Sequence, residues 1–206
     1  SMGERDFSLD GRAVSRLELV KTVASDFIGR RKGDRVALIL FGAQAYLQTP
    51  LTFDRATVAA MLDEAAIGLA GNETAIGDAI GLAVKRLRHS PAEKVLVLLT
   101  DGANTSGQLA PPEATALARA VKMRVHTIGL GSQAQGSAEA VGSAGGDRND
   151  TFRRAIEERT SLSMALNNRV KNLNESMLRQ IADATGGQYF RATDKQSLER
   201  IYAELD

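Results

Sequence analysis

At 206 residues the chain has the size of one domain with room for an insertion, and it is long enough to bury a sizeable core. Its 26 Lys and Arg against 25 Asp and Glu leave a net charge of +1, with no basic run longer than Arg30-Arg31-Lys32, which excludes a nucleic-acid footprint. The absence of Cys excludes disulfides, thiolate metal sites and a Cys nucleophile, the two His (His89 and His126) are too few for a multi-His metal centre, and no apolar run approaches the ~18 residues of a membrane span.

Ser1-Met2 reads either as a cloning remnant or as the start of a piece cut from something longer. Residues 3–12 are polar and turn-rich. From Ala13, apolar residues recur at three- and four-residue spacing (Val14, Leu17, Val20, Val23, Ala24, Phe27, Ile28), which predicts an amphipathic helix ending near 29–33. Residues 36–41, VALILF, form a short, wholly apolar run that predicts a strand buried on both faces. Gly42-Ala43 breaks it, 45–49 predicts a second strand antiparallel to it, and Pro50 is expected to end that strand. Asp54 is placed to cap a helix running to about Ala65.

After the loop 68–74, GLAGNET, a helix is expected over 75–89, with Ile76, Ala79, Ile80, Ala83, Val84 and Leu87 on one face. The run 94–100 is the pivotal strand: five consecutive apolar residues, Val95 to Leu99, lead into Thr100, Asp101, Gly102, Asn104 and Thr105. In open α/β sheets ligands sit beyond the carboxyl ends of the strands, so Asp101 and its neighbours place oxygen donors on a rigid edge. A plain turn Asp is the competing reading. Pro111-Pro112 opens a further helix to about 122, and 124–130 predicts another strand. Residues 132–150 are rich in Gly, Ser and Ala and read as a long loop, and 151–174 as an inserted helical segment. A helix over 175–185, a strand over 188–192 and an Asp194-capped helix to 205 complete the chain.

Alternating helices and strands predict a doubly wound α/β fold: a mostly parallel sheet, one antiparallel edge strand and helices on both faces. Five strands are counted, and a helix comes first, so the chain looks as if it starts one strand late.

On these residues the sequence resembles the von Willebrand factor type A (VWA) domain over nearly all of 1–206. The resemblance is carried by FSLDGRAVSRLELVKTVASDFI, GDRVALILFGAQAYLQTPLTFDR, GNETAIGDAIGLAVKRL, VLVLLTDGANTSG, RVHTIGLG and GGQYFRATDKQSLERIYAELD. Within the family it looks most like the bacterial aerotolerance (Bat) type. That likeness implies a domain of a membrane-anchored inner-membrane protein, on the periplasmic side, working with a MoxR-type AAA+ ATPase or with other VWA proteins.

The family's metal-ion-dependent adhesion site carries D-x-S-x-S after the first strand, a Thr in a later loop and an Asp after the fourth strand. The resemblance implies Thr74 and Asp101 as metal ligands and Ser1 as the second serine if it is native. The acid and first serine are missing from this chain. The implied cofactor is Mg²⁺, with Mn²⁺ or Ca²⁺ as alternatives. A hard cation wants such oxygen ligands and keeps an open position, here for a partner's acidic side chain. With ligands missing, weak or absent metal binding is expected.

Asp78, Gly102 and Asn104 are supporting candidates; an ordinary first-turn acid is the competing reading for Asp78, and plain turn chemistry for Asn104. Glu73 reads as an exposed loop acid, and His126, inside an apolar strand, as a satisfied core or edge residue. GLGSQAQG (129–136) lacks the third glycine of a dinucleotide fingerprint, and no G-x-x-x-x-G-K-[ST] occurs. The leading expectation is therefore a non-enzymatic protein-interaction module. The alternatives are a metal-independent scaffold binding through its helices, and a Mg²⁺-dependent phosphotransfer enzyme. The last lacks a second nearby acid, a phosphate-loop lysine and a His base.

Overall fold

The computed structural model describes residues 2–9, 11–131 and 172–205. The expected Ser1 ligand, the loop 132–150 and all but the last residues of the expected 151–174 insertion lie outside the described residues.

A short hairpin opens the chain: β1 (Phe7–Leu9) and β2 (Arg12–Val14) pair antiparallel, turning at Gly11, whose φ of +82° suits glycine. This corrects the reading of 3–12 as a turn-rich segment. It also moves Val14 out of the helix, because the backbone is still extended there. Helix α1 (Arg16–Arg30) begins one residue after Ser15, which closes a capping box with Glu18. The Ser15 amide donates to Glu18 Oε2 at 2.7 Å, and the Glu18 amide donates to Ser15 Oγ at 3.2 Å.

β3 (Val36–Phe41) and β4 (Ala45–Thr52) form the expected antiparallel pair. β4 continues through Pro50, against expectation. Among the described residues it is an edge strand with no partner on its far side, so a missing N–H costs little there, and the register shifts opposite it. Next come α2 (Arg55–Asp63), capped by Asp54, and α3 (Ile76–Leu87). β5 (Lys94–Thr100), α4 (Pro111–Ala120) and β6 (Met123–Leu130) follow. Helix α5 occupies 172–185, followed by β7 (Tyr189–Ala192) and α6 (Lys195–Glu204). The hairpin raises the described strands from the expected five to seven.

The doubly wound reading holds: β5, β6 and β7 form a parallel sheet in that order, with helices on both faces. Side chains alternate between two cores, as a period of two requires. Val97, Leu99, Ile128 and Leu130 pack with α1, α2 and α6. Leu96, Leu98, Met123 and Val125 pack with α3, α4 and α5. β3 contributes to both cores, Val36 and Leu38 to one, Ile39 and Phe41 to the other, so it runs through the same layer. Among the described residues, however, β3 pairs only with β4, and β5 only with β6. The sheet is thus interrupted between β3 and β5, where a starting strand was expected to be missing.

Candidate functional site

Two loops meet on the rim at the carboxyl end of β5. The loop before α3 reaches both halves of the interrupted sheet. The Ala75 amide donates to Gly42 O at 2.8 Å, just past β3, and the Thr105 amide, beyond β5, donates to Thr74 O at 2.9 Å. In return the Thr74 amide donates to Thr105 Oγ1 at 2.9 Å. This reciprocal latch fixes Thr74 in front of the β5 loop, so that a Cβ added to Gly102 would lie 3.5 Å from Thr74 Oγ1. Thr74 and Asp101 therefore share one rim.

The supporting candidates tie the same loops down. Ala75, the N-cap residue of α3, has no side-chain oxygen to cap the helix. Asn104 supplies the cap from the neighbouring loop, its Oδ1 accepting from the Ile76 amide at 2.8 Å. Asp78 does not bond the Thr74 loop. It accepts from the amides of Gln108 (3.0 Å) and Leu109 (2.8 Å) and so pins the end of the β5 loop to the first turn of α3. The Gly102 amide donates to Thr100 Oγ1 at 3.3 Å, tightening the turn that carries Asp101. Glu73 is exposed, as expected. His126 is buried. Its Nδ1 accepts from the Gln188 amide at 3.2 Å, and burial pushes its pKa down.

The feature that sequence reasoning missed is Arg16. It occupies the first helical position of α1, with its side chain only 10% exposed, and its Nη1 lies 3.3 Å from Oδ2 of Asp101, itself 5% exposed. Two further carboxylates hold the other side of the guanidinium. Nε donates to Asp6 Oδ1 at 3.0 Å and Nη2 to Asp6 Oδ2 at 2.6 Å, and Nη2 lies 2.7 Å from Glu4 Oε2. The hydrogen bonds to Asp6 raise the Arg16 pKa further; burial works against this, and the charges of Asp6, Glu4 and Asp101 add to the rise. Backbone bonds bring the acids there: the Arg16 amide donates to Glu4 O and the Leu17 amide to Met2 O, folding 2–6 across the start of α1. Only the S-x-x-E box around Arg16 was visible in sequence. Its partner 85 residues away was not. Ser106, in the β5 loop, also carries a buried Oγ with no partner among the described residues.

Thr74 and Asp101 offer the right oxygen chemistry for a hard cation. The arrangement does not fit one as it stands. A guanidinium is on Asp101, and the described residues contain no group of three or more His, Cys, Asp or Glu able to hold a metal.

The chain matches the von Willebrand factor type A domain over residues 1–204. It belongs to the VWA family. A curated relative from Borreliella burgdorferi, an uncharacterized protein, is 29% identical over 97% of this chain, which spans 52% of that relative's length. A solved structure described as an aerotolerance-related membrane protein from Bacteroides fragilis superposes with a TM-score of 0.66. It is 24% identical, over 99% of this chain and 92% of that one. A second solved structure, proximal thread matrix protein 1 from the mussel byssus with a zinc-occupied MIDAS motif, gives a TM-score of 0.61. It is 20% identical, over 92% of this chain and 39% of that one. These two similarities bear on the fold. No helix among the described residues is long and apolar enough to cross a membrane.

Proposed function

We propose that this VWA domain is a protein–protein interaction module that docks its partner on the rim built from 70–75 and 101–107. The observation that carries this reading is the Thr74–Thr105 latch, which holds the loop of Thr74 against the loop of Asp101 on one edge of the fold. In the finer form of the proposal, Thr74 and Asp101 are two of the ligands of a divalent cation, Mg²⁺ in the first place. Such an ion would supply an open coordination position for an acidic side chain of the partner. The mussel structure, whose MIDAS motif holds zinc, supports that form, and the Bacteroides structure, an aerotolerance-related membrane protein, supports a domain of a membrane protein; the inner membrane and its periplasmic face are this proposal's own placement. The proposed partner is a MoxR-type AAA+ ATPase or another VWA protein. No catalysis is proposed.

The test is binding of the purified chain to the MoxR-type ATPase of the same genome by surface plasmon resonance. Binding is expected in Mg²⁺ and is expected to fall at least tenfold in Asp101→Asn and Thr74→Ala. Unchanged binding by both variants would overturn the rim as the docking face. The metal-independent scaffold is the second reading, and the guanidinium on Asp101 favours it: in that case chelation with EDTA leaves partner binding intact. For the chain as it stands, 1 mM Mg²⁺ is expected to stabilise by well under ~1 kcal/mol, as a millimolar Kd dictates.

A further inference from the structure

The edge of the fold opposite the rim is far more basic than the chain as a whole. β3 and β5 run in the same direction, since the loop before α3 bonds just past the carboxyl end of each. Their amino ends, with that of β6, therefore lie at the far edge, and α1, α3 and α4 each end there, shortly before the next strand begins. The starts and ends of two more helices join them. Arg55 Nη1, at the start of α2, donates to Gly29 O at 2.9 Å, and Arg31 Nη2 donates to Leu205 O, at the end of α6, at 2.6 Å. The turns 30–35, 85–94 and 119–124 hold eleven Lys and Arg against two acids, Asp34 and Glu93, in a chain whose net charge is +1. Both of those acids face a base of the same edge, Asp34 at 3.7 Å from Arg31 and Glu93 at 3.1 Å from Arg124. Asp54, Asp183 and Glu204 lie at this edge as well, with Arg55, and leave it strongly positive.

Helix dipoles explain part of this. Arg30, Lys85, Arg86 and Arg119 lie in last turns, where a cation is favoured. Lys32, Arg35, Arg88 and Lys122 lie beyond the helix ends and are exposed, so dipole compensation does not account for them. Phe53 is the second observation. It follows β4 at the start of β3, where Thr52 pairs with Val36, and it is 65% exposed beside the same basic turns. The bases are spread over three separate turns rather than aligned on one helix or strand, which suits a broad, flat array of negative charge better than a single phosphodiester track. We propose that this edge rests on an anionic phospholipid surface, its Lys and Arg over the headgroup phosphates and Phe53 at the boundary with the acyl chains. An interface of this kind combines apolar burial with attraction to anionic lipid. The attraction fades within a Debye length, ~8 Å at physiological salt, so the contact is peripheral and salt-sensitive. The rim of Thr74 and Asp101 then points away from the bilayer. That an outward rim meets a partner rests on the reading above; the lipid contact does not.

The experiment is co-flotation of the full chain with vesicles of phosphatidylcholine alone or mixed with phosphatidylglycerol in about equal parts. Binding is expected on the anionic vesicles, weaker by about tenfold or more on phosphatidylcholine, and falling as salt rises. Arg35→Gln/Arg88→Gln should weaken it by about tenfold, whereas Arg5→Gln/Arg12→Gln, which removes the same charge from the opening segment, should leave it unchanged. Phe53→Ser should weaken it several-fold, and unchanged binding by that variant overturns the apolar half of the contact. Equal losses in the two double variants would reduce the effect to net charge and overturn the edge as the site. Absence of binding to anionic vesicles, or tighter binding to a duplex oligonucleotide than to them, overturns the lipid surface. Orientation is read separately. The chain has no Cys, so Ala92→Cys on the basic edge and Glu73→Cys on the rim each take one environment-sensitive dye. The dye at 92 should brighten on anionic vesicles and the dye at 73 should not; the reverse overturns the proposal, whatever the rim binds.

Discussion

β3 and β6 make an instructive pair. β3 reads VALILF, apolar at every position, yet each of its six residues is only half-buried. β6 reads MRVHTIGL, with an Arg, a His and a Thr, yet Met123, Val125, Thr127 and Ile128 are fully buried. Side-chain polarity would rank them the other way. What separates them is lateral pairing. β6 lies between β5 and β7, while β3 has a partner on one side only among the described residues. Burial of a strand depends on neighbours in the sheet as well as on helices above and below. An apolar strand beside an interruption stays half-exposed even with a helix on each face. The two halves are then joined by the rim loop, through Gly42–Ala75 and Thr74–Thr105, and by the helices beneath.

The largest expected effect tests this contrast directly. Ile128→Ala, in β6, should cost about 2–5 kcal/mol, because a fully buried side chain leaves a cavity its neighbours fill poorly. Leu38→Ala, in β3, should cost about 1–2 kcal/mol, since a half-buried site loses less transfer energy and collapses more easily. Urea denaturation with a common m-value measures both, and equal losses would break the comparison.

A smaller effect sharpens it by serving as a control. Asp194 caps α6, accepting from the Ser197 amide at 2.7 Å, and Asp194→Ala should cost about 1 kcal/mol. Asp54 caps α2 by the same chemistry on the other side of the interruption, and its replacement should destabilise in the same way. Capping is local, so it should ignore which half of the sheet it serves. The Asp194 pKa is lowered, first by its backbone hydrogen bond from Ser197. A depressed carboxylate stabilises the fold above its unfolded pKa, and the contribution fades as pH drops through the folded value. The difference between Asp194→Ala and the unsubstituted chain should therefore shrink in acid.

The smallest effect belongs to His126 in the well-paired half. Burial lowers its pKa, with the charge of Arg124 adding to the shift. Below the ordinary value of about 6.5 the unfolded chain takes up the proton before the folded chain does. Stability should thus decline as pH falls from 7.5 towards 6, and His126→Gln should flatten that slope in thermal melts. An unchanged slope would show that β6 is more open than its paired position implies.

Much of the architecture was legible because it is written in local patterns. The 3.6-residue period gave α1 and α3, the apolar runs gave β3 and β5, and Asp54, Asp194 and Pro111-Pro112 marked helix starts. The hairpin at 7–14 was missed because three-residue strands carry too little alternation to stand out, although Asp10-Gly11 is a hairpin signal. Pro50 misled because its effect depends on whether the strand is at an edge, which is a property of the sheet.

The candidate site divides along the same line. Sequence by itself determined that Asp101 closes an apolar strand with oxygen donors around it, since turn residues follow the apolar run there, and the resemblance to the VWA domain added Thr74. Only the tertiary structure decided that the two loops latch through Thr105, that Asp78 serves the Gln108 end, and that Arg16 lies on Asp101. These contacts join residues some 30 and 85 positions apart, and no local period encodes a pairing whose energy exists only once the helices and strands have packed.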